Sequence, residues 1–72
     1  IRKDYHNFLV GEALRDAESV ISDVRMRGVS EQARFITGYG RIRMDLFQML
    51  ESYGLEPTYE LGNDGVIVVV IE

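Results

Sequence analysis

The 72-residue chain has no cysteine and no tryptophan, a single proline and a single histidine. Without cysteine, disulfides and thiolate metal sites are excluded, and so is the small secreted scaffold that depends on cross-links. One histidine cannot build a zinc site of several imidazoles. Long apolar runs are lacking too. The longest, VIVVVI at 66–71, falls far short of the ~20 residues that a membrane-spanning helix needs. No leader peptide is recognisable. A chain opening at Ile1 reads as a piece of a longer, intracellular protein, cytoplasmic or, within a larger parent, organellar or nuclear.

What is present suffices for a small folded unit. Hydrophobic residues make up 46% and charged residues 28% of the chain, outside the range of disordered segments. A single domain over residues 1–72 is expected, burying roughly 60% of the surface its unfolded chain exposes. The net charge of −4 argues against nucleic acid as a partner, but the average hides a division. Between Arg25 and Arg43 stand five arginines (Arg25, Arg27, Arg34, Arg41, Arg43) and one acid, Glu31, a local +4 that leaves −8 for the rest. Such a field can steer an anionic ligand to one end of a molecule. The alternative is chance clustering along the chain.

Hydrophobic periodicity orders the elements. Residues 1–6, IRKDYH, alternate as a strand does, with Ile1, Lys3 and Tyr5 on one face and Arg2, Asp4 and His6 on the other. From Val10 the period changes: Ala13, Leu14, Ala17, Val20, Ile21 and Val24 form one stripe of a helix. Arg25, Arg27 and Gly28 mark its end, whereas Leu9 makes a weak start because it cannot cap. Gln32–Thr37 predicts a second strand closed by Gly38. A second helix follows from Ile42 to Tyr53, with Ile42, Leu46, Met49, Leu50 and Tyr53 buried and Gly54 as its stop. Pro57 opens a third strand, TYEL; GNDG at 62–65 predicts a hairpin turn, and Val66–Ile71 is the last strand. The order βαβαββ predicts a two-layer α+β fold with a four-stranded mixed sheet. A strand, a crossover helix and a second strand in one sheet are normally parallel. The ends of strands one and two then share a rim, where ligands of open sheets tend to bind.

That rim carries the candidate chemistry. In TGYG (Thr37, Gly38, Tyr39, Gly40) the glycines let a ligand approach the backbone, and the helix start beyond offers unpaired N–H groups suited to phosphate. Arg41 and Arg43 add full charges. The plainer reading is a strand-to-helix turn relieved by glycine, and the GK[ST] ending of a Walker loop is missing. Asp4 and His6, two apart, project to one face of a strand. An imidazole there can move a proton near neutral pH. Asp4 can orient that ring, hold a magnesium ion through water or activate a water molecule. No cofactor is required by these residues. The plainer reading has His6 capping the next loop and Asp4 paired with Arg2. Asn7 is one of the few residue types beyond glycine that tolerate the left-handed region.

DYHN, a helix ending in RMRG, a strand into TGYG and a helix ending in YGL together resemble the small MutS-related (Smr) domain over nearly the whole chain, VGEAL at 10–14 included. That family carries a Leu-Asp-Leu-His-Gly strand end followed by a Thr-Gly-x-Gly loop. The resemblance implies a fold like the C-terminal domain of bacterial translation initiation factor three. It also implies nicking or cleavage of DNA or RNA by a module of a larger protein, in recombination, organelle RNA metabolism or at ribosomes. Asp4 and His6 match the family's Asp and His, and Gly38 and Gly40 its loop glycines. Asn7 stands for the motif glycine, Lys3 and Tyr5 for leucines, and Leu9 for a capping Thr. The loop after Gly40 is about two residues shorter than the family's, with arginines for small residues.

VIVVVI is apolar on both faces, so either Val66, Val68 and Val70 or Ile67, Val69 and Ile71 face away from the helices. The strand is then either central, with high β propensity, or open-faced and packed on another domain or protomer. Three functions are carried forward: a nucleic-acid endonuclease, a module that binds RNA, DNA or a ribosomal surface without cleaving, and a protein-interaction domain.

Overall fold

A computed structural model describes residues 1–72. The elements run β1 (Arg2–Asp4), α1 (Val10–Arg27), β2 (Glu31–Ile36), α2 (Arg41–Ser52), β3 (Thr58–Glu60) and β4 (Asn63–Ile71). The sheet order is β1-β2-β4-β3, with β1 parallel to β2 and the other two pairs antiparallel. The βαβαββ order and the mixed four-stranded sheet expected from the sequence are therefore present, and β1 and β2 are direct neighbours.

The helical stripe is buried as the three-four spacing requires. Ala13, Ala17, Ile21 and Val24 of α1 and Ile42, Leu46 and Leu50 of α2 meet Ala33, Phe35, Ile67, Val69 and Ile71 of the sheet. Leucines such as Leu46 and Leu50, both fully buried, each contribute about 1.5–3 kcal/mol through removal from water. Tyr5 enters the same core, stacked on Phe35 at 5.6 Å, and its hydroxyl donates to Asp16 on α1 at 2.6 Å. Burial, and then the Asp16 carboxylate, push its ionisation well above the usual tyrosine range. No helix is long and apolar enough to cross a membrane.

Local signals explain most boundaries, and two expectations, the length of β1 and the β3–β4 turn, need correction. β1 is shorter than residues 1–6 because the backbone turns at Tyr5–Phe8, where Phe8 N–H donates to the Tyr5 carbonyl at 2.9 Å. The start of α1 is held from an unexpected side: Leu9 offers no oxygen, but its N–H donates to Glu12 Oε1 at 3.0 Å. That is half of a capping box, written with Glu at the third helical position. Asn7 does not use the left-handed region, which only glycines occupy. The hairpin turn is Leu61–Gly62 rather than GNDG, since Glu60 pairs with Asn63 and only Gly62 needs a positive φ, 79°. Asn63, Asp64 and Gly65 belong to β4. Asp64, Gly65 and Val66 lie unmatched by β3 in a bulge that bends the strand towards the end of β2.

The two faces of β4 separate cleanly. Ile67, Val69 and Ile71 face the helices, while Val66, Val68 and Val70 share the other face with Arg34 and Glu60. Arg34 on β2 crosses β4 to meet Glu60 on β3 at 2.6 Å. Its stem covers the centre of the valine strip. Val66 is buried, and Val70 alone is substantially exposed, at 49%. β4 is a central strand, and the chain's own ion pair crosses its outer face at Val68.

Candidate nucleic-acid interface

Three separate stretches meet at one rim of the sheet: Asp4–His6, Thr37–Arg43 and Asn63–Gly65. The parallel pairing of Asp4 with Ile36 sets the end of β1 beside the exit of β2. A β-carbon built at Gly38 would lie 4.0 Å from Cβ of His6, so the histidine and the glycine turn share a border.

Asp4 organises the first stretch. Its Oδ1 accepts the backbone N–H of His6 at 3.1 Å and lies 2.6 Å from the ring Nδ1. The backbone bond is the Asx-type turn that an aspartate two residues before a turn makes. The ring bond, and then the backbone bond, hold the Asp4 carboxyl below the usual carboxylate range. An ionised carboxylate accepts only, so the Nδ1 donates, and in the neutral ring Nε2 is the nitrogen that keeps a lone pair. Asp4 thus pairs with His6 rather than with Arg2. The side chains are 53% and 45% exposed, His6 the more so.

The glycine turn is built around a carbonyl from β4. The N–H groups of Thr37 and Gly38 both donate to the Gly65 carbonyl, at 2.9 and 3.1 Å, and the Thr37 hydroxyl approaches the same oxygen at 3.2 Å. Thr37 is buried and its hydroxyl is committed to the turn, so it shapes the rim from within. Gly38 takes φ 70°, a conformation that side chains resist. Gly40 is extended, at φ −92°, and no atom would lie within 4 Å of a β-carbon there. It leaves open space in front of α2. No side chain caps α2, and its first turn holds no acid, so its N–H groups and dipole face outward unneutralised.

The five arginines do not form one patch. Arg25 and Arg27 sit at the far end of α1. There Arg25 donates to the carbonyls of Tyr53 and Glu72, and Arg27 pairs with Asp23 and Glu31. Arg34 is on the outer sheet face. Only Arg41 and Arg43 reach the rim. Arg41 is largely exposed, with Asp45 at 3.3 Å. Arg43 donates to the Asp64 carbonyl at 3.2 Å and lies between the rings of Tyr39 and Tyr59, 5.3 and 5.1 Å from their centroids. Sequence reasoning missed Tyr59, Asp64 and Gly65 here. The signal was the Gly65 in GNDG, taken for a hairpin tip.

No group of three or more His, Cys, Asp or Glu side chains comes together to hold a metal ion. With Oδ1 of Asp4 engaged by His6, the rim does not offer magnesium a chelating set. Nor does it form a cavity. The largest concavity, about 640 Å³, lies along α1 at Glu18, Ser22, Arg25 and Tyr53, away from these residues.

No family model and no curated protein matches the chain. Among solved structures, the crystal structure of the Smr domain of Thermus thermophilus MutS2 superposes with a TM-score of 0.74. The match covers 100% of this chain and 99% of that one, at 22% sequence identity. Nearly full coverage in both directions means that the same elements occur in the same order with no added layer. This chain has the fold of an Smr domain.

Proposed function

We propose that the chain is a nucleic-acid endonuclease module that cuts or nicks a phosphodiester of DNA or RNA. The observation that carries this reading is the meeting of the Asp4–His6 pair with the glycine turn and the uncapped start of α2. An open rim without a cavity suits a polymer that runs past, rather than a small molecule that must be enclosed.

The chemistry follows from the positions. A phosphate seated before α2 receives N–H groups, the helix dipole and the charge of Arg41, which stabilise the extra negative charge of the phosphorane-like transition state. His6 Nε2 takes a proton from the attacking oxygen, the ribose 2′-hydroxyl in RNA or a water molecule in DNA. As the new P–O bond forms, the bond to the leaving oxygen breaks, and that oxygen collects a proton from the imidazolium or from solvent. Asp4 holds the ring in the required tautomer and stabilises its charged form. Arg43, Thr37 and Gly38 keep the turn in shape.

General acid–base catalysis contributes roughly 100- to 10,000-fold. His6→Ala should lower cleavage of a mixed oligonucleotide by about 100-fold or more, and Asp4→Ala by a similar or smaller factor. Both variants should keep the parent's fold by circular dichroism, with Asp4→Ala melting somewhat lower because it loses the bonds to His6. Equal cleavage by all three proteins removes the catalytic assignment.

A binding module without cleavage, for RNA, DNA or a ribosomal surface, is favoured by one feature. The Asp4–His6 pair is about half exposed, and in water-like surroundings its electrostatic effect is weak. Retained oligonucleotide binding without products would select that reading.

A further inference from the structure

The rim carries a feature that phosphate contact does not require. Tyr39 is 70% exposed although it is an aromatic residue at the centre of the turn. Its ring is not loose. The guanidinium of Arg43 lies over it at 5.3 Å, and a β-carbon at Gly65 would come within 3.5 Å of its Cε2, so the ring edge rests on bare β4 backbone. Behind Arg43 the column continues through Tyr59 at 5.1 Å and Phe47, 4.9 Å further on. Arg43 is itself fixed by the Asp64 carbonyl. Tyr39 is thus the outermost member of a column, held by a cation and with most of its surface open to solvent.

We infer that the exposed ring of Tyr39 is a stacking platform for an unpaired nucleobase beside the phosphate held at the rim, which makes single-stranded nucleic acid the substrate class. This rests on the nucleic-acid reading above and narrows it. A planar ring held in place loses little freedom when a base lands on it, and every base presents a π-face, so stacking is tolerant of sequence. Arg43 behind the ring adds cation–π attraction to the column. A base inside a duplex has both faces occupied by its neighbours. It can reach Tyr39 only after extrusion from the stack, which costs energy that an unpaired strand does not spend.

The test separates base from phosphate. Fluorescence anisotropy is measured with three labelled probes of mixed sequence: a single strand, the same strand annealed to its complement, and an abasic strand with equal phosphates and no bases. Stacking predicts that the single strand binds best. Tyr39→Ala should weaken it by roughly tenfold while leaving the abasic strand unchanged. Tyr39→Phe, which keeps the ring, should restore the preference. The inference is overturned if abasic and natural strands bind alike, or if Tyr39→Ala weakens all three probes equally; phosphate binding at the rim then still stands. Should the parent bind none of the probes, the nucleic-acid reading falls and the stacking platform with it.

Discussion

Asp4 shows how much a single side chain settles at this rim. One of its oxygens receives both the ring and the backbone N–H of His6, and each bond favours the charged carboxylate. Its folded value therefore lies below the ordinary 3.8. A carboxyl depressed in this way contributes stability at pH values above 3.8 and loses it as pH falls through the folded value. Carboxyl carbon NMR should find Asp4 titrating below 3.8, and His6→Ala, which removes the ring bond but keeps the backbone N–H, should raise it part of the way. An Asp4 titration that His6→Ala leaves unchanged would mean that the ring bond is not held in solution. Asp4 and His6 were legible as candidate partners from their spacing of two, although only Asp4 belongs to β1. What spacing could not reveal is that the backbone turns immediately afterwards and turns the histidine towards Gly38.

Among the elements, α1 begins at a boundary that is only half capped. Leu9 occupies the capping position with 73% of its surface exposed and no oxygen to offer, and Glu12 supplies one acceptor from inside the helix. Leu9→Ser would complete the reciprocal pair, stabilising the chain by about 1 kcal/mol. For a chain of this size the melting midpoint should rise by roughly 4–8 °C. An unchanged or lower midpoint in a circular-dichroism melt would show that the leucine contributes packing which its exposure hides. Helix ends at Gly28 and Gly54 were readable because a left-handed residue after an apolar stripe is a local signal. The β3–β4 turn was not. Gly62 and Gly65 are equally good turn formers in sequence, and the choice is made by Thr37 and Gly38, whose N–H groups claim the Gly65 carbonyl from a distant part of the chain.

At the scale of the molecule, charge counted along the chain misleads. The crossover carries Arg25 and Arg27 to the edge opposite the rim, and Arg34 faces outward with Glu60, so a run of five cations becomes three separate groups. Binding to single-stranded oligonucleotides should reflect Arg41, since Arg43 is held behind Tyr39. The slope of log affinity against log salt should be roughly −0.7, for one phosphate, rather than near −3.5 for all five arginines. Arg41→Ala should make the slope shallower, and Arg27→Ala should leave it unchanged. A steep slope, or equal effects of the two variants, would place the bound strand elsewhere.

The bulge in β4 has a practical corollary for anyone lengthening this protein. Leu61 is 100% exposed at the hairpin tip, so an epitope or a fluorophore spliced there meets nothing. Two positions beyond Gly62, the same graft would drag the Gly65 carbonyl from beneath the Thr-Gly corner and spoil the histidine's neighbourhood. Tolerance to cargo therefore changes from full to none within four residues, Leu61 to Gly65.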